Sequence, residues 1–555
     1  MLFPIITAVL FLAPIAVGLL GTLLPSFGIL PALGGVEPSI QPWRDLFATP
    51  GLWTALRLTV TTGLAATLLS FLLAVGFCAA WQGSRWFARL QRLLPPLLAV
   101  PHAAFAIGFA FLVAPSGWVV RLLSPWATGW TRPPDLPLIQ DPWGIALTLA
   151  LVVKEVPFLV LMIGAALAQT RADRLLAGAR ALGYGPVTGW VKVVLPLVYR
   201  QVRLPVLAVL AYSLSAVEPA LVLGPSTPPP LTPLVLRWFA DPDLSMRFRA
   251  AAGAVLQLGV VVGGIGVWWL AERIVAVKGR RWAVAGARGG RGAGARLAGG
   301  GAMALAVLVS VAAVAVLAVW AFARNWRFNE AFPGAWSLDT VGRTLPQLTE
   351  PAWTTLVIAV AAVLIGLVLV VGCLEHERRG GAALGRRALW LIYAPLLVPG
   401  VGFLFGIQVV LVASGLDGSW AALVWVHLLY VLPYLYLTLA DPWRALDERY
   451  ERTARSLGAS ASRAFWRVRA AMLLRPILTA CAVGFAVSVG QYLPTLFASG
   501  GRMATLTTEA VALASGADRR VTAVYAFAQA ALPLLAFAAA LAVPAWAYRN
   551  RKGMR

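Results

Sequence analysis

Residues Arg174–Arg200 read RLLAGARALGYGPVTGWVKVVLPLVYR, residues Arg449–Arg475 read RYERTARSLGASASRAFWRVRAAMLLR, and the two stretches align without a gap. Under that alignment Arg174, Ala179, Arg180, Leu182, Gly183, Val193 and Arg200 fall on Arg449, Ala454, Arg455, Leu457, Gly458, Val468 and Arg475. Ahead of each glycine, Leu175, Ala179 and Leu182 in the first copy and Tyr450, Ala454 and Leu457 in the second recur at i, i+4, i+7. That spacing lays them along one stripe of a short helix, with the arginines off the stripe. Gly183 and Gly458 are free to adopt positive φ and are expected to end that helix. Gly185-Pro186 reinforces the turn in the first copy. A second amphipathic helix, carrying Trp190 and Val193 or Phe465 and Val468, leads back into apolar sequence. Each copy therefore predicts a polar helix–turn–helix knob between two apolar runs.

The rest of the chain is built to lie in lipid. It is 60% hydrophobic and 12% charged over 555 residues, with a mean hydropathy of +0.80. A soluble domain would carry about twice that charged fraction. Runs of about twenty apolar residues, enough to cross a hydrocarbon layer of about 30 Å, recur about twelve times without strand-like alternation. Helices are the open-ended element that satisfies its own backbone in lipid, so the expected class is an all-α polytopic membrane protein. The expected spans are 2–24, 53–81, 94–118, 144–168, 204–223 and 249–273, then 299–322, 351–374, 389–413, 419–440, 476–498 and 521–548. No basic residue precedes Arg44, so the first span reads as an uncleaved helix. The Gly/Arg-rich residues 277–301 read as a flexible linker, which divides the chain into a unit over 1–276 and a unit over 302–555.

Charge sets the expected orientation. Loops on the side of the two knobs, with the C-terminal tail, hold 31 of the 46 Lys and Arg residues. By the positive-inside rule that side is cytoplasmic, and both termini lie there with the linker. Two six-helix units in the same orientation imply a pseudo-twofold axis along the membrane normal, with a path between them. The net charge of +24 is divided among short loops and forms no basic face on a soluble domain, which argues against a nucleic-acid partner.

The repeated stretch resembles the cytoplasmic loop of permeases from binding-protein-dependent ABC importers. That family's pattern is Glu-Ala-Ala, three residues, Gly, nine residues, Ile, one residue, Leu-Pro. The first copy matches at Ala179, Gly183, Val193, Leu195 and Pro196, and the second at Ala454, Gly458 and Val468. It departs at the glutamate position, which is Ala177 or Arg452 with Glu451 adjacent, and at the second Leu-Pro, which is Ala470-Ala471. The resemblance covers essentially the whole chain and is strongest to the fused two-unit permeases known from thiamine and ferric-iron import. RLPVLAVLAYSLSAVEPALVLGPSTPPP at 203–230 and MLLRP at Met472–Pro476 narrow it to one bacterial inner-membrane branch. It implies a bacterial inner-membrane location, with a cytoplasmic ATPase in two copies, an external substrate-binding protein and membrane lipid as partners. Leu175, Ala179, Gly183, Leu195, Pro196, Tyr450, Ala454, Leu457 and Gly458 are then the expected ATPase-docking residues.

Four polar residues at membrane depth are candidates for the translocation path. Lys154 and Glu155 lie mid-span beside Pro157, where charge is expensive unless it faces protein or water. Glu218 before Pro219 and Gln491 near Pro494 fall at near-equivalent points of the two units. His102 and His427 read as core histidines. Cys78, Cys373 and Cys481 have no metal or redox spacing, so no metal or cofactor is expected. No Gly-Lys pair occurs, so the chain lacks a phosphate-cradling Walker A loop, and no catalytic constellation stands out. It reads as a transport subunit with ATP hydrolysis elsewhere. The alternative is a proton-coupled carrier of the major facilitator type, but the 82–93 loop holds no acid and the long loops fall inside each unit.

Overall fold

The computed structural model describes residues 2–290, 292–380, 386–516 and 518–550. Among them ten helices are long and apolar enough to cross a membrane. An eleventh is the pair Ala461–Met472 and Leu474–Val489, bent by 70°, and Gly400–Ala413 is a shorter apolar helix. One small sheet is present among the described residues, Ala323–Asn325 paired antiparallel with Ala335–Trp336.

Two spans in each unit are broken where continuous helices are expected. The third splits into Arg85–Ala99 and His102–Val113, and in the second unit into Arg386–Leu397 and Gly400–Ala413. Pro101 and Pro399 stand at the breaks. Each lacks an N–H and pushes the residue before it out of the α region. The fifth span ends at Ser215, followed by the short helix Glu218–Leu223; its counterpart ends at Val489, followed by Leu493–Ser499.

A broken helix in lipid leaves carbonyls that need internal donors. Gln257, fully buried, donates to the Leu214 carbonyl at 2.9 Å. In the second unit Gln529 donates to Thr507 at 2.6 Å, and Thr507 donates to the Val489 carbonyl. The start of the next helix is held alike in both: the Leu231 N–H donates to Thr59 at 2.8 Å and the Leu506 N–H to Thr355 at 2.9 Å.

The first helix of each expected unit packs against the other expected unit. Leu2–Ser26 runs along Gly400–Ala413 of the second unit, and Ala293–Phe322 runs along His102–Val113 of the first. Small residues make the approach possible. A Cβ on Gly406 would lie 2.0 Å from the Gly18 carbonyl oxygen, and one on Gly108 would lie 2.0 Å from that of Ala313.

The expected flexible linker over 277–301 is largely helical. Met246–Val284 extends through its first part, and Ala293–Phe322 begins within its last. The intervening segment lies on the first knob. The Gly185 N–H donates to the Arg288 carbonyl at 2.8 Å, and Lys192 donates to the Ala287 carbonyl at 2.7 Å with its ammonium over the Trp282 ring. Arg291 and the last five residues of the basic tail lie outside the described residues.

Candidate functional site: two hairpins and a polar seam

Both repeated stretches fold as helical hairpins at the same end of the bundle. The first arms are Ala172–Ala181 and Arg449–Ser456. Gly183 and Gly458 have φ of +81° and +88°. The N–H groups of Gly183 and Tyr184 reach the carbonyls of Arg180 and Ala179, and those of Gly458 and Ala459 reach Arg455 and Ala454, at 2.9–3.0 Å. This is the same Schellman closure twice. The returning arm then widens into a π-helical turn, Trp190–Val194 in one hairpin and Phe465–Arg469 in the other. Such turns are uncommon and concentrate at functional positions. The second hairpin has one although Leu195-Pro196 is replaced by Ala470-Ala471, so the turn does not depend on that proline.

The expected docking residues separate by exposure. Tyr450 and Leu457 are exposed, as are Gly183, Gly458 and Pro196, and Leu182 matches Leu457 at the tip of its hairpin. Leu175, Leu195 and Ala454 are half-buried. Ala179 is buried inside its own hairpin, where a Cβ on Gly189 would lie 3.2 Å from its methyl. Its small side chain thus lets the two arms close on each other and is not part of the exposed face.

The interior of the hairpins differs. In the first, Leu176 and Val194 are both buried in one apolar core, and the fully buried Trp190 donates its indole N–H to Gln82. At the corresponding places of the second stand Glu451 and Arg469, buried and paired at 3.0 Å. The Arg469 guanidinium also lies over Trp443, and Arg378 reaches Glu451 at 3.7 Å from the neighbouring helix Asp339–Gly380. Sequence reading passed over this pair because Glu451 is one residue from the family's glutamate position.

The four path candidates do not form one cluster. Lys154 turns its ammonium onto the carbonyls of Leu97 and Val100, the open end of the helix that stops before Pro101. A cation there satisfies orphan acceptors and complements the helix dipole. Glu155 is buried and lies 3.4 Å from His102, whose ring packs on Tyr212. The Glu218 carboxylate lies beside the backbone of Tyr492, across the boundary between the units. Gln491 is buried against the His427 carbonyl at 3.2 Å, within the second unit. Glu218 begins its short helix, as Leu493 does in the second unit, so Glu218 and Gln491 sit two positions out of register. His427 is a core residue held by Ser488 and Thr495 at 2.8 and 3.0 Å. Tyr430 and Tyr492 of the second unit lie within electrostatic range of Glu218, and Tyr434 within that of Glu155. The boundary is therefore an unequal polar seam: both carboxylates come from the first unit, with Tyr212 beside them, and the second unit contributes phenols.

No group of His, Cys, Asp or Glu fit to hold a metal occurs among the described residues. The family profile "Binding-protein-dependent transport system inner membrane component" matches residues 369–550. The inner membrane ABC transporter permease protein YnjC of Escherichia coli K12 is 33% identical over 521 residues, 93% of each chain. The molybdenum transport system permease protein ModB of Mycobacterium tuberculosis is 28% identical over 185 residues, 32% of this chain and 70% of its own. The sulfate transport system permease protein CysT of Synechocystis is 39% identical over 88 residues, 16% of this chain and 28% of its own. Paired hairpins, broken spans and likeness along nearly the whole length agree: the chain belongs to the inner-membrane permeases of binding-protein-dependent ABC transport systems.

Proposed function

We propose that the chain lines the substrate path of an ATP-driven importer and couples it to a separate cytoplasmic ATPase through the two hairpins. The observation that carries this reading is their shared backbone: the same Schellman closure, the same π turn and an exposed leucine, Leu182 or Leu457, at the same point of each. Two equivalent knobs suit two equivalent ATPase subunits, and the excess of Lys and Arg on their side supports a cytoplasmic location for both. An external binding protein then delivers substrate at the opposite end. The units are 1–276 and 302–555 by sequence.

Each hairpin connects directly to the spans on either side, so ATPase closure would rock one unit against the other. The seam of Glu155 and Glu218 facing Tyr430, Tyr434 and Tyr492 is the path wall that this motion would open. Lys154 serves the wall indirectly, by holding the broken third span. The test is reconstitution in proteoliposomes with an ABC ATPase that copurifies with the chain. Leu182→Arg together with Leu457→Arg should abolish ATP-dependent uptake and ATPase assembly while leaving membrane insertion intact; Glu218→Ala should impair uptake and leave assembly intact. Normal uptake by both variants would overturn the proposal.

A further inference from the structure

At the end of the bundle opposite the hairpins, two guanidinium groups converge on one backbone oxygen. Arg121, on the short helix Trp118–Leu123, donates through Nε to the Ser116 carbonyl at 3.0 Å and through Nη1 to the carbonyls of Trp326, at 3.3 Å, and Arg327. Arg519, which opens the helix Arg519–Ala547, donates to the same oxygen at 3.3 Å. Both guanidinium groups face the Trp320 ring, at 5.4 and 5.7 Å, and they repel each other. Neither has a carboxylate at ion-pair distance among the described residues. Glu330 acts on Arg121 only through space. Arg121 is 6% exposed, so water does little to offset the repulsion. The backbone carbonyls satisfy donors of the two groups but carry no net charge, and like charges held together away from solvent stay costly unless an opposite charge offsets them.

A cavity of about 250 Å³ opens beside Arg519, between the two units. The first unit contributes Phe111, Gln140 and Val222 to its wall; the second contributes Ser515, Arg519 and Thr522. Gln140 is the one non-glycine residue with positive φ among the described residues, at 55°, and its N–H is tied to the Leu223 carbonyl at 3.0 Å. Backbone strain of this kind is found where the surroundings fix a side chain for a task. Across Trp320, a second cavity of about 430 Å³ is lined by Arg324, Arg327 and Arg520. Of these, Arg520 is paired, with Asp518.

We propose that the cavity between the units binds a small anion, a carboxylate or oxyanion, with its charged group against Arg519. Arg121 stands behind Arg519 and strengthens the field, while Gln140 and Ser515 supply hydrogen bonds. Phe111 and Val222 leave an apolar wall for the rest of a small organic acid. The partly enclosed cavity suits a diffusible solute better than a side chain presented by a docking protein. This inference rests on the two arginines and the cavity and is independent of ATPase coupling.

The experiment uses the full chain in phosphatidylcholine nanodiscs. Its melting temperature is followed against sodium sulfate and sodium acetate at constant ionic strength set with sodium chloride. Wild type should show saturable stabilisation, with a midpoint at least about tenfold weaker in Arg519→Gln and partly restored in Arg519→Lys. Ser515→Asp places a tethered carboxylate in the cavity; it should raise the melting temperature without added anion and abolish the response. Absence of a saturable response in wild type would overturn the proposal, as would an equal midpoint in Arg519→Gln. A Ser515→Asp chain that is less stable and still responds would also overturn it. Stabilisation by an acidic peptide with none by sulfate or acetate would assign the surface to a protein partner and overturn the small-anion site.

Discussion

The two hairpins share a backbone and differ in what fills it. In the first, Leu176 and Val194 close the arms with apolar contact, Trp190 is tied to Gln82, and the segment after Val284 lies across the turn. In the second, a buried Glu451–Arg469 pair closes the arms, Arg378 bridges to the adjacent helix, and the returning arm bends by 70° before entering the bundle. The comparison teaches that the hairpin backbone is specified by glycine position and helix phase, while the interior is free to be apolar or ionic. The hairpins should therefore fail under different insults.

The largest effect is expected from removing one partner of the buried pair. Arg469→Ala leaves the buried Glu451 carboxylate with only the longer contact to Arg378 at 3.7 Å, and should cost somewhat less than the about 3–5 kcal/mol of a wholly uncompensated buried charge. Limited proteolysis should then cut within 449–475 and leave 174–200 resistant; equal cutting of both would break the comparison. Next, Gly183→Ala and Gly458→Ala should each cost about 1–2 kcal/mol, because an L-residue is forced into the left-handed region. Similar losses at the two sites, read by the same proteolysis, would support a common backbone, whereas a loss at one site alone would refute it. Trp190→Phe gives the first hairpin the residue found in the second, Phe465, and should cost about 1 kcal/mol for the lost hydrogen bond plus a smaller packing loss. The smallest effect should come from Glu451→Leu with Arg469→Val, which installs the first hairpin's interior in the second. Replacing a buried pair whole is often neutral or stabilising by roughly 1–4 kcal/mol, so this double variant should resist proteolysis at least as well as wild type. A double variant as fragile as Arg469→Ala would show that the ionic interior is required.

Much of the fold was legible because its causes are local. Apolar runs of spanning length and the paired glycines read directly as spans and helix ends. The breaks in the third spans were also within reach, since Pro101 and Pro399 interrupt apolar runs that were read as continuous. Gln257 and Gln529 were visible as lone amides in apolar sequence, but their task depends on carbonyls exposed by breaks far away in the chain. The candidate path was harder to read. Lys154 and Glu155 are neighbours in sequence, yet a helix turns adjacent side chains about 100° apart, and one went to a broken helix end while the other went to His102. Ala179 matched its motif and still faced inward, because a stripe of apolar positions does not say which side meets a partner and which closes the hairpin. The packing of each first helix against the other expected unit had no sequence signal, since glycines such as Gly18 and Gly406 acquire meaning only through each other.

Docking is tested most directly by thiol accessibility at the hairpin tips. Leu182 and Leu457 are 67% and 83% exposed, whereas Cys78 is buried and Cys373 and Cys481 are partly so, which keeps the background low. Leu182→Cys and Leu457→Cys chains would be labelled with a membrane-impermeant maleimide, with and without an ABC ATPase that copurifies with the chain. Protection of both cysteines on assembly is the predicted result; unchanged labelling of both in an assembled, transporting complex would contradict docking through the hairpins.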